Sequence, residues 1–345
     1  MNSDSPPFWR RIAPALTLMV LAPLVAEVLP GATRLSAIFV LPIEIVVWGG
    51  GALMIRAAAR RRRLGWSGLL CLALSLAVAE ECLIQQTSLA PMVLQIKGGA
   101  YARALGVNYV YLLWALFYES VLVVFVPVYL TELIYPARRA ETWLSRAGLA
   151  VVGPLFVVGA FLAWFSWTQI ARPKVFHVPA FNPPLLAVVI AVVIIGGLFV
   201  LAFGPARGGG GTPALRTPPP WLPGVLGAVA AILWYGLVLL AFGIAPEFPP
   251  AIPIGVGLAL VGATLLVLPR WAAGAGWGDR HTYALIGGTT VGAMLAGFIG
   301  FRGAAPADLW FKVIVDAIAA VLLWRLAVRI GRSEVRGQTP DVGSQ

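Results

Sequence analysis

The residues best suited to chemistry lie in one stretch, Ala77-Val78-Ala79-Glu80-Glu81-Cys82-Leu83-Ile84-Gln85-Gln86-Thr87-Ser88, where two adjacent carboxylates and a polar tail interrupt a hydrocarbon-like run. An acidic residue at the centre of a membrane helix costs roughly 2.5–3.5 kcal/mol, so a glutamate pair there must find partners, reach water or take up protons. Helical spacing places Glu81, Gln85 and Ser88 on one polar stripe at i, i+4 and i+7. Glu80 and Thr87 form a neighbouring stripe.

Such a group offers three kinds of chemistry. Carboxylate oxygens with Gln85, Ser88 and Asn108 as neutral ligands suit a hard cation such as Na⁺, Mg²⁺ or Ca²⁺ better than zinc. Paired carboxylates in a low dielectric carry protons, because both do not ionise readily. One glutamate could also act as the general base of a hydrolase while its neighbour orients the water. The alternative to all three is that each glutamate is protonated and joins its helix to the next.

Composition sets the surroundings. The chain has 345 residues, of which 60% are hydrophobic and 11% charged, with a mean hydropathy of +0.88. Soluble domains carry about 25% charged residues, so this is expected to be an integral membrane protein whose first partner is the lipid bilayer. The net charge of +11 is not read as a nucleic-acid footprint, because no basic stretch alternates with exposed aromatics. Cys71 and Cys82 stand eleven residues apart on one expected helix, about 16 Å of rise and beyond disulfide reach. Arg10 and Arg11 before an apolar run that contains Glu27 read as an uncleaved signal anchor.

Apolar runs near 11–29, 36–56, 66–88, 108–134, 148–170, 185–204, 222–244, 252–269, 281–301 and 309–330 predict an all-α polytopic fold of about ten transmembrane helices. With a cytoplasmic N-terminus, 18 basic residues fall inside, among them Arg56, Arg60–Arg63, Arg138 and Arg139, and 7 outside. That bias predicts cytoplasmic termini at both ends and, for a bacterial chain, the inner membrane. Residues 1–204 are expected to form a six-helix block, 205–220 a flexible cytoplasmic Gly/Pro linker, 221–334 a four-helix block and 335–345 a disordered tail. Gly288 and Gly292, at GxxxG spacing, predict close helix packing.

Orientation and depth together put Glu27, Glu44, Glu80, Glu81 and Glu119 in the outer half of the membrane, with Asp316 at the same level and Glu132 near the opposite face. Asn108, Tyr111, Ala115 and Glu119 share a helix face, and small Ala115 leaves space above Glu119. Gly49-Gly50-Gly51 below Glu44 either weakens its helix or admits a close neighbour. Residues 89–107 are apolar enough to lie in the interface or re-enter the membrane, and 171–184 read as a stiff outer loop.

Glu80-Glu81-Cys82-Leu83-Ile84-Gln85 resembles the EExxxR motif of the CPBP intramembrane protease family (CAAX proteases and bacteriocin-processing enzymes), with Gln85 at the arginine position. The resemblance implies a catalytic position for Glu80 and Glu81. The family's FxxxH motif is met here by Trp114 to Tyr118 and then Glu119, with no histidine, which points to a non-proteolytic relative. In topology alone the chain is similar to the drug/metabolite transporter class.

No complete catalytic motif is present, so a non-enzymatic role is expected, with no cofactor and the metal left open. The leading expectation is a proton- or cation-coupled secondary transporter whose site comprises Glu44, Glu80, Glu81, Gln85, Ser88, Asn108 and Glu119. The alternatives are a non-catalytic subunit or scaffold, with a membrane-protein partner or a second copy, and a CPBP-like hydrolase or inactive relative.

Overall fold

A computed structural model describes residues 8–91, 93, 101–204 and 213–338. Every expected apolar run is helical: α1 Trp9–Val28, α2 Leu35–Arg62, α3 Trp66–Ile84, α4 Tyr109–Ile134, α5 Arg146–Val175, α6 Leu185–Phe203, α7 Trp221–Ala241, α8 Ala251–Ala272 and α9 Asp279–Phe301, then α10 Pro306–Gln338. Among the described residues α1 to α9 are long and apolar enough to cross a membrane. The 33-residue α10 is long enough but carries Lys312, Asp316, Arg325 and Arg329. The only sheet among the described residues is a two-stranded hairpin, β1 Arg103–Ala104 with β2 Val107–Asn108. The fold is therefore an all-α, membrane-type bundle. Its lipid-like outer surface is clearest on α5, α6 and α8, where Val157, Val193 and Leu258 are exposed.

Contacts sort the helix ends into two groups. At one end Arg138 donates to the carbonyls of Arg10 and Arg11, Arg61 to Leu144 and Arg329 to Leu133, while Arg139 pairs with Asp279 at 2.6 Å. Beside this arginine-rich end Arg138 holds the Glu141 carboxyl below the usual carboxylate range through a hydrogen bond. At the other end Arg34 donates to the Gly300 carbonyl, Ser36 to Asp308 and Asn108 to the Ala241 carbonyl. Successive helices alternate between the two groups, which is the pattern of a chain that crosses repeatedly.

Contacts also run between the two expected blocks. The six-helix and four-helix parts interlock at both ends, and Trp234 on α7 donates to the Trp114 carbonyl on α4. Of the expected linker, 205–212 lie outside the described residues. Its second part is extended and held: Leu215 donates to the Arg270 carbonyl and the Pro218 carbonyl meets the His281 ring. Helix α10 runs through Gln338, past the expected start of the tail, and 339–345 lie outside the described residues. In the 89–107 stretch, residues 92 and 94–100 also lie outside them.

Small residues let helices close on one another. A side chain at Gly288 would strike the Gly224 carbonyl, and one at Gly292 the Ala228 carbonyl, so α7 and α9 meet backbone to backbone. Gly49 meets the Met19 carbonyl of α1 in the same way, so the glycine run of α2 serves packing. Replacing Gly288 with valine is expected to destabilise the folded protein by about 1–3 kcal/mol. Gly236→Ala, where nothing lies within 4 Å of an added Cβ, is expected to be neutral. Unfolding in mixed micelles checks the contrast, and equal effects would mean the two helices are not in contact.

Candidate functional site

Four helices deliver carboxylates to one place. Glu44, Glu80, Glu81 and Glu119 are buried and Glu27 is half-buried. Glu80 is within electrostatic reach of Glu81, Glu27 and Glu44, and Glu119 within reach of Glu81, Glu80 and Glu27. Glu81 and Glu119 line one cavity close enough for their carboxyls to interact, and two carboxyls that close do not both ionise readily. The convergence that depth alone left open is thus present. Glu132 lies apart, at the arginine-rich end with Arg56 and Arg60. Asp316 is not in the group either, because it pairs with buried Lys312 one turn away on α10.

The helices reach this place through an irregularity absent from α6–α10. Each of α1 to α5 contains a wide turn closed by i→i+5 hydrogen bonds: Leu24–Val28, Ile45–Gly49, Glu80–Ile84, Glu119–Phe125 and Phe165–Val175. The bond from Gln85 N to Glu80 O, 2.8 Å, is one example. Glu27, Glu80, Glu81 and Glu119 are members of these turns, and Glu44 immediately precedes one. A wide turn adds a residue to the helical register and re-aims the side chains beyond it, a departure that recurs at functional sites.

The wide turn in α3 corrects the expected polar stripe. Helix α3 ends at Ile84, and Gln86 takes a left-handed conformation with φ 61°, so the chain folds back instead of continuing to Ser88. Ser88 then donates its backbone N–H, at 3.0 Å, and its hydroxyl to Glu81 Oε2. Asn108 is committed to structure as well: its Oδ1 accepts from Tyr111 N at 2.9 Å at the start of α4, and its amide donates to the Ala241 carbonyl. Ser88 and Asn108 position the site and have their polar groups engaged. Gln85 faces the cavity.

That cavity, about 220 Å³, is lined by Glu27, Glu81, Gln85 and Glu119 together with Trp48, Tyr111, Trp114, Tyr118, Trp167 and Arg172. Ala115 is fully buried, so the space lies above the rings and not above a small residue. Trp114 stacks on Tyr118 with ring centroids 4.5 Å apart, and Tyr111 tilts against Trp114 at 5.3 Å. The Tyr118 hydroxyl bridges the Ala26 carbonyl and Glu27 Oε1. Glu44 and Glu80 stand behind the lining, and the Thr33 hydroxyl donates to Glu44 Oε1 at 2.6 Å. Among the described residues Glu44 Oε2, Glu80 Oε1 and Glu119 Oε2 have no N–H or O–H donor.

Trp48, Tyr118, Trp167 and Arg172 were not legible as site residues from sequence. Aromatics near helix ends read equally as an interfacial belt, and Arg172 read as part of an outer loop. It is in fact 2% exposed, with its guanidinium donating to the Pro91 and Pro179 carbonyls. Neither His177 nor His281 lines the cavity. Among the described residues no three His, Cys, Asp or Glu side chains are placed to hold one metal ion. Comparison with known proteins finds no matching family model, no matching curated protein and no matching solved structure.

Proposed function

We propose that this protein is a proton- or cation-coupled secondary transporter, with ten spans and both termini in the cytoplasm of a bacterial cell, and that the carboxylate cluster is its coupling site. One observation carries the reading: three glutamates line a cavity near one end of the bundle, with Glu44 and Glu80 within electrostatic reach of them. Buried ionisable groups in membrane helices are costly and mark ion or proton pathways by default. The arginine-rich end supports the orientation, since basic residues are retained on the cytoplasmic side. The other two readings have less support. The small-residue faces of α7 and α9 are used on each other and are not offered to a partner, and a hydrolase of the resembled type needs a histidine that the cavity lining lacks.

Protons and a cation compete here for the same groups. Those facing the cluster are Glu27, Glu44, Glu80, Glu81 and Glu119, with Cys82, Tyr111, Tyr118, Tyr235 and Arg172. Cation binding therefore releases protons, and stabilisation by a cation is expected to weaken as pH falls. The test is thermal unfolding of the purified protein across pH with Na⁺, Mg²⁺, Ca²⁺ and Zn²⁺, beside Glu80→Gln and Glu81→Gln. A ligand at 100 times its Kd stabilises by about 2.7 kcal/mol. A pH- or cation-linked shift that disappears in the variants is expected. An unchanged pH profile in variants that are merely less stable would assign the glutamates to packing and overturn the proposal.

A further inference from the structure

The acidic floor of the cavity is only half of its chemistry; its walls are aromatic. Tyr111, Trp114 and Tyr118 form a continuous set of touching rings, with Trp48 and Trp167 contributed by α2 and α5. Phe242 adds another ring, its centroid 6.0 Å from that of Tyr111. Glu119, only 6% exposed, lines the same space and has an oxygen without an N–H or O–H donor among the described residues.

Small hard cations want a shell of six or more oxygens. Here two of the three neutral ligands expected to complete such a shell are already hydrogen-bonded, Ser88 to Glu81 and Asn108 to the backbone. That leaves Gln85 and Thr87 as the neutral polar side chains besides tyrosine on the lining. Ring faces stand in place of Ser88 and Asn108, and ring faces attract a cation whose charge is spread over carbon-bearing nitrogen, most strongly when water is excluded. The one guanidinium on the cavity, Arg172, donates to two backbone carbonyls and is outnumbered by three lining carboxylates.

We infer that the occupant of this cavity is an organic cation, a protonated amine or quaternary ammonium, whose nitrogen sits against the Glu81 and Glu119 carboxyls with its carbon substituents against Trp114 and Tyr111. The inference deepens the transport reading and rests on it for direction and coupling. It divides the cluster in two: Glu27, Glu81 and Glu119 meet the substrate, while Glu44 and Glu80, behind the lining, hold protons.

The experiment measures binding to the full-length protein in detergent by calorimetry, with benzylammonium and benzyltrimethylammonium as cations, benzyl alcohol as the neutral counterpart and Na⁺ as a cation without apolar surface. Saturable binding of the two cations is expected, with benzyl alcohol at least about tenfold weaker. Trp114→Leu should weaken the cations about thirtyfold and benzyl alcohol much less, the size of one desolvated cation–π contact. Trp114→Phe, which keeps a ring, should restore most of the affinity and guards against a folding defect in the leucine variant. Benzyl alcohol binding as tightly as the cations, or cation affinity indifferent to Trp114, would overturn the inference. A counterflow assay in proteoliposomes separates the two levels. Ring-dependent binding without counterflow would sink the transport reading and leave the substrate class standing. Glutamate-dependent stabilisation by Na⁺ or protons without ammonium binding would do the reverse.

Discussion

Glu132→Ala is expected to cost the folded protein about 3–5 kcal/mol, the range for removing one partner of a buried ion pair. Arg56 is 1% exposed, its Nε lies 3.0 Å from Glu132 Oε1, and its guanidinium stacks over the Trp143 ring while donating to the carbonyls of Arg139 and Glu141. Without the carboxylate those two carbonyls and a ring face are left to hold a full buried charge. Arg60 touches the same oxygen at 2.5 Å, but its side chain is 38% exposed. Arg60→Ala should therefore cost about 1 kcal/mol or less. The double variant Arg56→Met, Glu132→Leu should recover most of the loss, because apolar groups of similar size replace a buried pair at little cost. Reversible unfolding in mixed micelles reads all three. Similar effects of Glu132→Ala and Arg60→Ala would show that water reaches Arg56 and that the arginine-rich end is looser than its hydrogen bonds indicate.

The second large effect falls on the transport activity proposed above. Glu81→Gln keeps one oxygen to accept from Ser88 but removes the ionisable group that lines the cavity beside Glu119. Losing a charged hydrogen-bonding partner in a buried site is worth about 1.5–3 kcal/mol, or roughly 10–100-fold in substrate affinity. Glu119→Gln is expected to fall in the same range, and the double variant should cost less than the sum, since the two carboxyls act as a unit. Ser88→Ala removes a hydroxyl that only positions Glu81, so its effect should be smaller and should show chiefly as an altered pH profile. Uptake into proteoliposomes at several pH values makes the comparison. Independent, additive losses at Glu81 and Glu119 would argue that the two glutamates serve separate sites.

These effects also separate what the amino-acid order determines from what packing decides. The helices were legible because a membrane leaves little choice: a backbone in hydrocarbon must satisfy its own hydrogen bonds, so each long apolar run becomes a helix. All ten runs are helical in the structure over most of their length, the third stopping at Ile84. The depth of each glutamate followed from the same rule, since rise per residue converts position into height. Glu27, Glu44, Glu80, Glu81 and Glu119 were therefore expected at one level; Glu27, Glu81 and Glu119 line one cavity, and Glu44 and Glu80 lie within electrostatic reach.

Height is not direction, however. Which way a side chain points depends on helix register, and an i→i+5 turn changes register without leaving a mark in the apolar pattern. The turn over Glu80–Ile84 ends α3 early and brings Ser88 back onto Glu81, where an unbroken helix would have set Glu81, Gln85 and Ser88 in a row. Neighbours are likewise a tertiary matter: Asp316 shared the expected depth but pairs with Lys312, whereas Trp48, Trp167 and Arg172, which no local pattern singles out, line the cavity. By itself the sequence determined that the chain forms membrane-type helices and where along them the charges fall. Only the tertiary structure decided which charges face each other and what surrounds them, because lateral order and helix rotation are set by side-chain packing between segments far apart in the chain.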